Sequence, residues 1–398
     1  MTRDRIAAAS ERLSARVEQD FIASGRLPHA QILIARDGEV LHRSVHGAAR
    51  ADGTPLSDDA LFRIASMTKP VTATAFMMLV EEGRVRLDDP VSAVIPEFEG
   101  LVRFQSEGDS GFRTAPCAPM RMIDLLRHTS GLTYGFLNRT PVDAAYRAAA
   151  ILAPGSDRDA DGFIEALRGL PLEFEPGGRW NYSVSTDVLG VVVERIEGRP
   201  LGDVFADRIF EPLGMVDTGF HCPDDKSARL TDAWFHHPTA GRVLAEPADT
   251  SRWRQTPAFA SGGGGLLSTV DDYHRFCTML VNGGSVGKTS ILSTDSIAAM
   301  TRNQLPDGRD LASMSPFAFP ETGAAGTGFG LGFAVTLNPE ATGLPGSVGD
   351  FYWSGIYSTA FFVDPIERLH AIFMTQLLPT GAQPVRQLLR QAAYDFIR

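Results

Sequence analysis

Strand signals gather at the two ends of this chain and thin out in its middle, which limits the folds open to it. Near the N-terminus, "QILIARDGEVLHRSVHG" (residues 31–47) sets two β-rich runs around Asp37-Gly38. Such a pair suits a type I′ hairpin turn, whose two central residues need positive φ. Near the other end, "GFGLGFAVTLN", "YSTAFFVDP" and "RLHAIFMTQL" read as three further strands, and "PVRQLLRQAAYDFIR" as a closing helix with Pro384 near its start. An opening amphipathic helix carries Ile6, Ala9, Leu13, Val17 and Phe21 at helical spacing.

Residues 90–259 differ. Helix-like patches such as "MRMIDLLRHTSG" and "STDVLGVVVERIEG" alternate with Pro- and Gly-rich loops. Segments 100–118 and 305–327 are rich in Gly, Pro, Ser and Asp and read as long surface loops. No internal repeat is present. The expected fold class is α+β. One antiparallel sheet, flanked by helices, comes from residues 1–89 and 260–398, and residues 90–259 form an inserted, mainly helical lobe. A cleft at the junction is the natural place for a site.

Composition narrows the function. The net charge of −11, with no Lys/Arg cluster, opposes binding to a phosphate backbone. Three widely spaced cysteines, Cys117, Cys222 and Cys277, suggest neither a disulfide framework nor a zinc site. The N-terminal stretch has charges every few residues and no apolar core of a signal peptide. No run approaches the roughly 18 apolar residues of a membrane span. The expectation is a soluble cytoplasmic protein, monomer or homodimer, with a small-molecule partner and neither nucleic acid nor membrane.

The 37 basic residues include only three lysines, Lys69, Lys226 and Lys288. One of them stands three residues after Ser66 in "RIASMTKPVTA", at the head of the apolar run "VTATAFMMLVEEG". Serine is a favoured N-cap, Pro70 falls in the first turn, and Val71, Ala75, Met78 and Leu79 lie on one side. Ser66 and Lys69 are therefore expected one turn apart at a helix start. A serine hydroxyl becomes a good nucleophile when a base removes its proton. Lysine can be that base near a helix N-terminus, whereas arginine does not deprotonate in proteins. The competing reading is a mere cap beside a solvated charge.

S-x-x-K recurs at Ser285-Val286-Gly287-Lys288, where "GGSVG" also matches the esterase elbow pattern. That elbow needs a strand before it and a helix after it, and "LVNGGSVGKTSILS" reads as a Gly-rich turn. It also misses a phosphate loop, because Asn282 stands where glycine is required. Ser66 is preferred on context. Of the nine histidines, His236-His237 is the densest pair and reads as a surface element, not as metal ligands; His128 is expected to cap a helix end as a partly cationic ring. "TGFGLGF" lacks a dinucleotide-binding register. Neither a cofactor nor a metal is expected.

Several ordered motifs resemble the serine β-lactamase-like hydrolases, in their class C and family VIII carboxylesterase branch. "FRIASMTK" resembles the first motif, "LLRHTSGLTYG" a segment that follows it, and "FEPGGRWNYSVSTDVLG" the second motif with Tyr182 at its tyrosine. "SGGGGLLSTVDDYHRF" and "NGGSVGKTSILS" are similar to two further stretches, and "YWSGIYSTAFFVDP" to the third motif and its strand. The resemblance runs from about residue 30 to residue 380, and implies a site between an antiparallel sheet and a helical domain. It implies that Ser66 is acylated while Lys69 and Tyr182 relay protons, with the backbone N–H groups of Ser66 and Ile356 as the oxyanion hole. Gly355 would let the backbone approach the substrate. Trp353 would line the pocket or cover the sheet edge, and Tyr134 would form a pocket wall.

Two departures favour esters over lactams. The second motif usually reads Tyr-x-Asn, but here it is Tyr182-Ser183-Val184, and valine cannot hydrogen-bond an acylamino group. The third motif usually begins with lysine or histidine, but here it begins with Trp353, which offers only an indole N–H. The expectation is a carboxylesterase for short-chain or small neutral esters. A weak β-lactamase, a D-amino-acid peptidase, an acyltransferase and a non-catalytic binding protein on the same fold are the alternatives.

Overall fold

The computed structural model describes residues 3–108, 111–153, 155–315 and 325–398. Helix α1 (Arg3–Val17) leads into strands β1 (His29–Arg36) and β2 (Glu39–Gly47). Helices α2 (Thr68–Glu81), α3 (Ser185–Glu197) and α4 (Val270–Val281) follow. Strands β3 (Thr327–Phe329), β4 (Ala334–Thr336), β5 (Phe351–Ser354), β6 (Ala360–Asp364) and β7 (Leu369–Met374) precede helix α5 (Val385–Asp395).

These seven strands form one antiparallel sheet in the order β3-β4-β5-β6-β7-β1-β2. The two ends of the chain meet at the β7–β1 pair, where Leu33 lies opposite Ile372. Asp37 (φ 52°) and Gly38 (φ 82°) both take the left-handed conformation that a type I′ turn demands. Strand β1 is buried along almost its whole length, which explains why its sequence shows no alternation. Phe361 and Phe362 point to opposite faces of β6. Phe361 meets Tyr273 of α4 and Phe362 stacks on Tyr394 of α5, so helices cover both sides of the sheet.

Two expectations need correction, and the middle segment, expected to be mainly helical, also holds strands. Segment 100–118, read as a loop, contains an exposed hairpin of Val102–Gly108 and Gly111–Pro116. None of its residues is fully buried and only its first residues pack against the core, so its sequence lacks the apolar alternation that marks a half-buried strand. "GFGLGFAVTLN" is not one strand but the β3–β4 hairpin, with Gly330 to Phe333 as its turn. The middle segment is not only helical: Ala233–His237 pairs with Gly241–Glu246 and, in parallel, with Leu377–Leu378. Within the other expected loop, Leu311–Met314 is a short helix, and residues 316–324 lie outside the described residues. No described helix is long and apolar enough to cross a membrane.

Candidate active site

Helix α2 runs through the interior. Its residues are buried on nearly every side, not along one stripe, because α3 packs against it from beyond the sheet. Ser66 precedes it in a single 3-10 turn, Ala65–Met67. The helix itself begins at Thr68 and has no side-chain cap, so Ser66 is not the N-cap that its sequence position suggested. Its hydroxyl faces Lys69 and Tyr182 instead.

The turn is held from several sides. Ala65 sits at φ 44°, a left-handed conformation that costs a non-glycine residue on the order of 1 kcal/mol or more. Ile64 N–H donates to the Leu266 carbonyl at 3.0 Å, and the Tyr273 hydroxyl of α4 donates to the Met67 carbonyl at 3.0 Å. The fully buried Arg63 guanidinium reaches the Thr231 carbonyl at 2.7 Å, Ser251 Oγ at 2.9 Å and Gln376 Oε1 at 3.2 Å. Strand β5 closes the other side. A Cβ on Gly355 would stand 2.5 Å from the Ile64 carbonyl oxygen and 2.3 Å from Thr359 Oγ1. Gly355 therefore admits the nucleophile's own turn, a use that differs from the expected approach of substrate.

Lys69 is 1% exposed, and its Nζ lies 3.1 Å from Ser66 Oγ, 3.2 Å from Tyr134 Oη and 2.7 Å from the Gly263 carbonyl oxygen. As an ammonium it donates to all three oxygens; deprotonated, its lone pair can accept from the Ser66 hydroxyl instead. Tyr182 lies in the loop just before α3, and its hydroxyl donates to Ser66 Oγ at 2.6 Å. Lys69 Nζ also stands 4.6 Å from the centre of the Tyr182 ring.

Asp187 went unnoticed in the sequence, where it reads as an ordinary acid in a first helical turn. It is fully buried on α3, accepts from the Ser261 hydroxyl and from Gly263 N–H at 3.1 Å, and lies 3.4 Å from Tyr134 Oη. Burial raises its carboxyl above the usual range, against the opposing pull of Lys69 and these hydrogen bonds. A Cβ on Gly263 would fall 2.3 Å from its Oδ2, so the carboxylate occupies the space a side chain there would need. The loop "SGGGG" is thereby fastened to α3, and its carbonyl at Gly263 is fastened to Lys69.

Other expected residues divide. Tyr134 is buried; it contacts Lys69 and Asp187 and stacks on the exposed Phe136 at 4.8 Å, so it is more than a wall. Trp353 is 1% exposed and packs on Tyr182 and Phe329, each at 5.4 Å. It braces Tyr182 and does not line open space. Ile356 lies in the turn after β5, not on the strand, which ends at Ser354. Among the described residues, the Ile356 backbone N–H donates to no other group. Val184 is fully buried with its N–H on the Thr133 carbonyl at 3.3 Å. His128 is not a cationic cap. It is buried against Tyr182 at 5.0 Å, and burial, then Lys69, holds its pKa well below 6.5, so the ring is neutral.

Ser285 lies apart, in a small hairpin of Ser285–Val286 and Thr289–Ser290 that follows α4. A helix, not a strand, precedes it. His236 and His237 sit on a strand with His237 exposed, and no group of three or more His, Cys, Asp or Glu able to hold a metal occurs among the described residues.

Residues 15–394 match the family model for beta-lactamase. The chain belongs to the beta-lactamase family. Within that family it is 33% identical to Esterase EstB of Burkholderia gladioli, over 96% of this chain and 95% of EstB. It is 36% identical to Protein Rv1367c of Mycobacterium tuberculosis, over 87% of each. Among solved structures it is similar to EstCE1, described as a hydrolase with promiscuous acyltransferase activity, with a TM-score of 0.80 and 26% identity over 98% of this chain and 99% of that one.

Proposed function

We propose that this protein hydrolyses carboxylic esters through an acyl-enzyme on Ser66. The observation that carries the reading is the convergence of Tyr182 Oη and Lys69 Nζ on Ser66 Oγ, at 2.6 and 3.1 Å. Neutral Lys69 takes the hydroxyl proton as Ser66 Oγ attacks the ester carbonyl carbon. The N–H groups of Ser66 and Ile356 receive the oxyanion. As the C–O bond to the alcohol breaks, Tyr182 gives its proton to the leaving oxygen and is resupplied from the Lys69 ammonium. Water then gives a proton to the same relay and attacks the acyl carbon, and Ser66 leaves with its proton restored.

Similarity to EstB supports esters as the substrate class. Val184 and Trp353 support the same choice, since both are buried apolar side chains where lactam recognition would need an amide and a basic group. Similarity to EstCE1 favours transfer of the acyl group to a second alcohol as a side reaction. The test is a panel of p-nitrophenyl esters of graded acyl length, one chromogenic cephalosporin and one D-alanyl peptide. Ester turnover should dominate. A higher kcat/KM for the cephalosporin or the peptide would reverse the assignment.

A further inference from the structure

A cavity of about 500 Å³ lies beside the nucleophile turn. Its inner wall includes Ser261 and Gly264, members of the same loop whose Gly263 carbonyl holds Lys69. A Cβ on Gly264 would stand 3.9 Å from the Ala65 carbonyl carbon, so the inner wall of the cavity lies against the residue that precedes Ser66. The other walls combine four aromatic side chains with small and polar loop residues. Phe163 and Phe259 stack at 4.6 Å and 25°, and Phe220 and Trp253 stand with them.

We infer that this cavity receives the acyl half of the ester and selects an acyl group that ends in a neutral aromatic ring. The inference rests on the reading of Ser66 as the acylated nucleophile. The side of the site decides which half enters. Tyr182, which serves the leaving oxygen, packs among His128, Trp180 and Trp353, and none of these lines the cavity. The leaving oxygen, which takes its proton from Tyr182 Oη, therefore lies on the Tyr182 side of Ser66 Oγ, while the cavity wall meets the nucleophile turn at Ala65, on the side left to the acyl group. Size argues against the shortest acyl chains, since an acetyl group would leave aromatic walls in water while a ring would cover them. The volume is that of a ligand pocket, not a gap between side chains. Charge argues for neutrality. Asp157 and Arg252 at the mouth are exposed and of opposite sign, and the Arg158 guanidinium is engaged by the Ala149 and Ala150 carbonyls at 3.1 Å each.

The test keeps the leaving group constant. We expect kcat/KM for p-nitrophenyl 3-phenylpropanoate to exceed that for p-nitrophenyl acetate by about tenfold or more. In Phe259→Ala, and independently in Ala258→Trp, which crowds the cavity from an exposed loop position, that ratio should fall about tenfold. Brisk acetate turnover with a ratio near one, or a ratio that neither substitution moves, would overturn the cavity assignment while leaving the ester reading intact. A ring preference that appears only when the ring is on the alcohol (2-phenylethyl acetate against ethyl acetate) would overturn the choice of acyl half. No turnover of any ester by folded wild-type protein would overturn the underlying reading.

Discussion

The chain carries the same four-residue spacing twice, at Ser66–Lys69 and at Ser285–Lys288, and the two regions differ in almost everything else. Lys69 is buried with three polar contacts, and Ser66 stands in a turn pinned by α4, β5 and Arg63. Lys288 is exposed in the turn of a small hairpin. Ser285 is half-buried in a two-stranded hairpin and has no buried lysine beside it. The spacing supplies the residues, and burial with fixed acceptors supplies the chemistry.

The contrast is easiest to break by mutation. Ser66→Ala removes the nucleophile and should lower ester kcat by about 10⁴-fold or more, measured on a p-nitrophenyl ester. Lys69→Arg preserves charge but not basicity, so a loss of about 10³-fold is expected. A circular-dichroism melt should accompany it, because a larger head group must fit a buried site. Wild-type-like turnover by Lys69→Arg would remove lysine from the proton path. Asp187→Asn should have an intermediate effect, a fall in kcat of about 10- to 100-fold with a changed pH profile, since it weakens the fastening of Gly263 and alters the charge beside Lys69. Ser285→Ala and Lys288→Arg should leave kcat within about twofold and stability within about 0.5 kcal/mol. A large loss in either, with the fold intact, would erase the distinction.

Much of this was legible in the amino-acid order. Asp37-Gly38 announced its turn because few residue pairs accept two positive φ values, and the burial of β1 on both faces left a continuous apolar run. Ser66 and Lys69 could be singled out because their chemistry depends on residue type, whereas Tyr182 stood out only through the resemblance to the family's second motif. The contribution of Gly263 could not be read, since it is a backbone carbonyl that any residue carries, placed by a distant carboxylate. Asp187 was hidden for the same reason: nothing local separates a helix acid facing water from one facing a buried loop. His128 misled because its neighbours in sequence suggested a helix end, while its neighbours in space, Tyr182 and Lys69, dictate a neutral ring. The hairpin strands Val102–Gly108 and Gly111–Pro116 left no pattern because none of their residues is fully buried.

The most direct test is to treat the folded protein with a fluorophosphonate, digest it with trypsin and locate the added mass. The tryptic peptide of residues 64–84 contains Ser66, and that of residues 276–288 contains Ser285. A burial-activated serine predicts a single adduct on residues 64–84, lost in Ser66→Ala. An adduct on residues 276–288, or no adduct on protein shown to be folded, would contradict the claim that burial of Lys69 is what activates its neighbour.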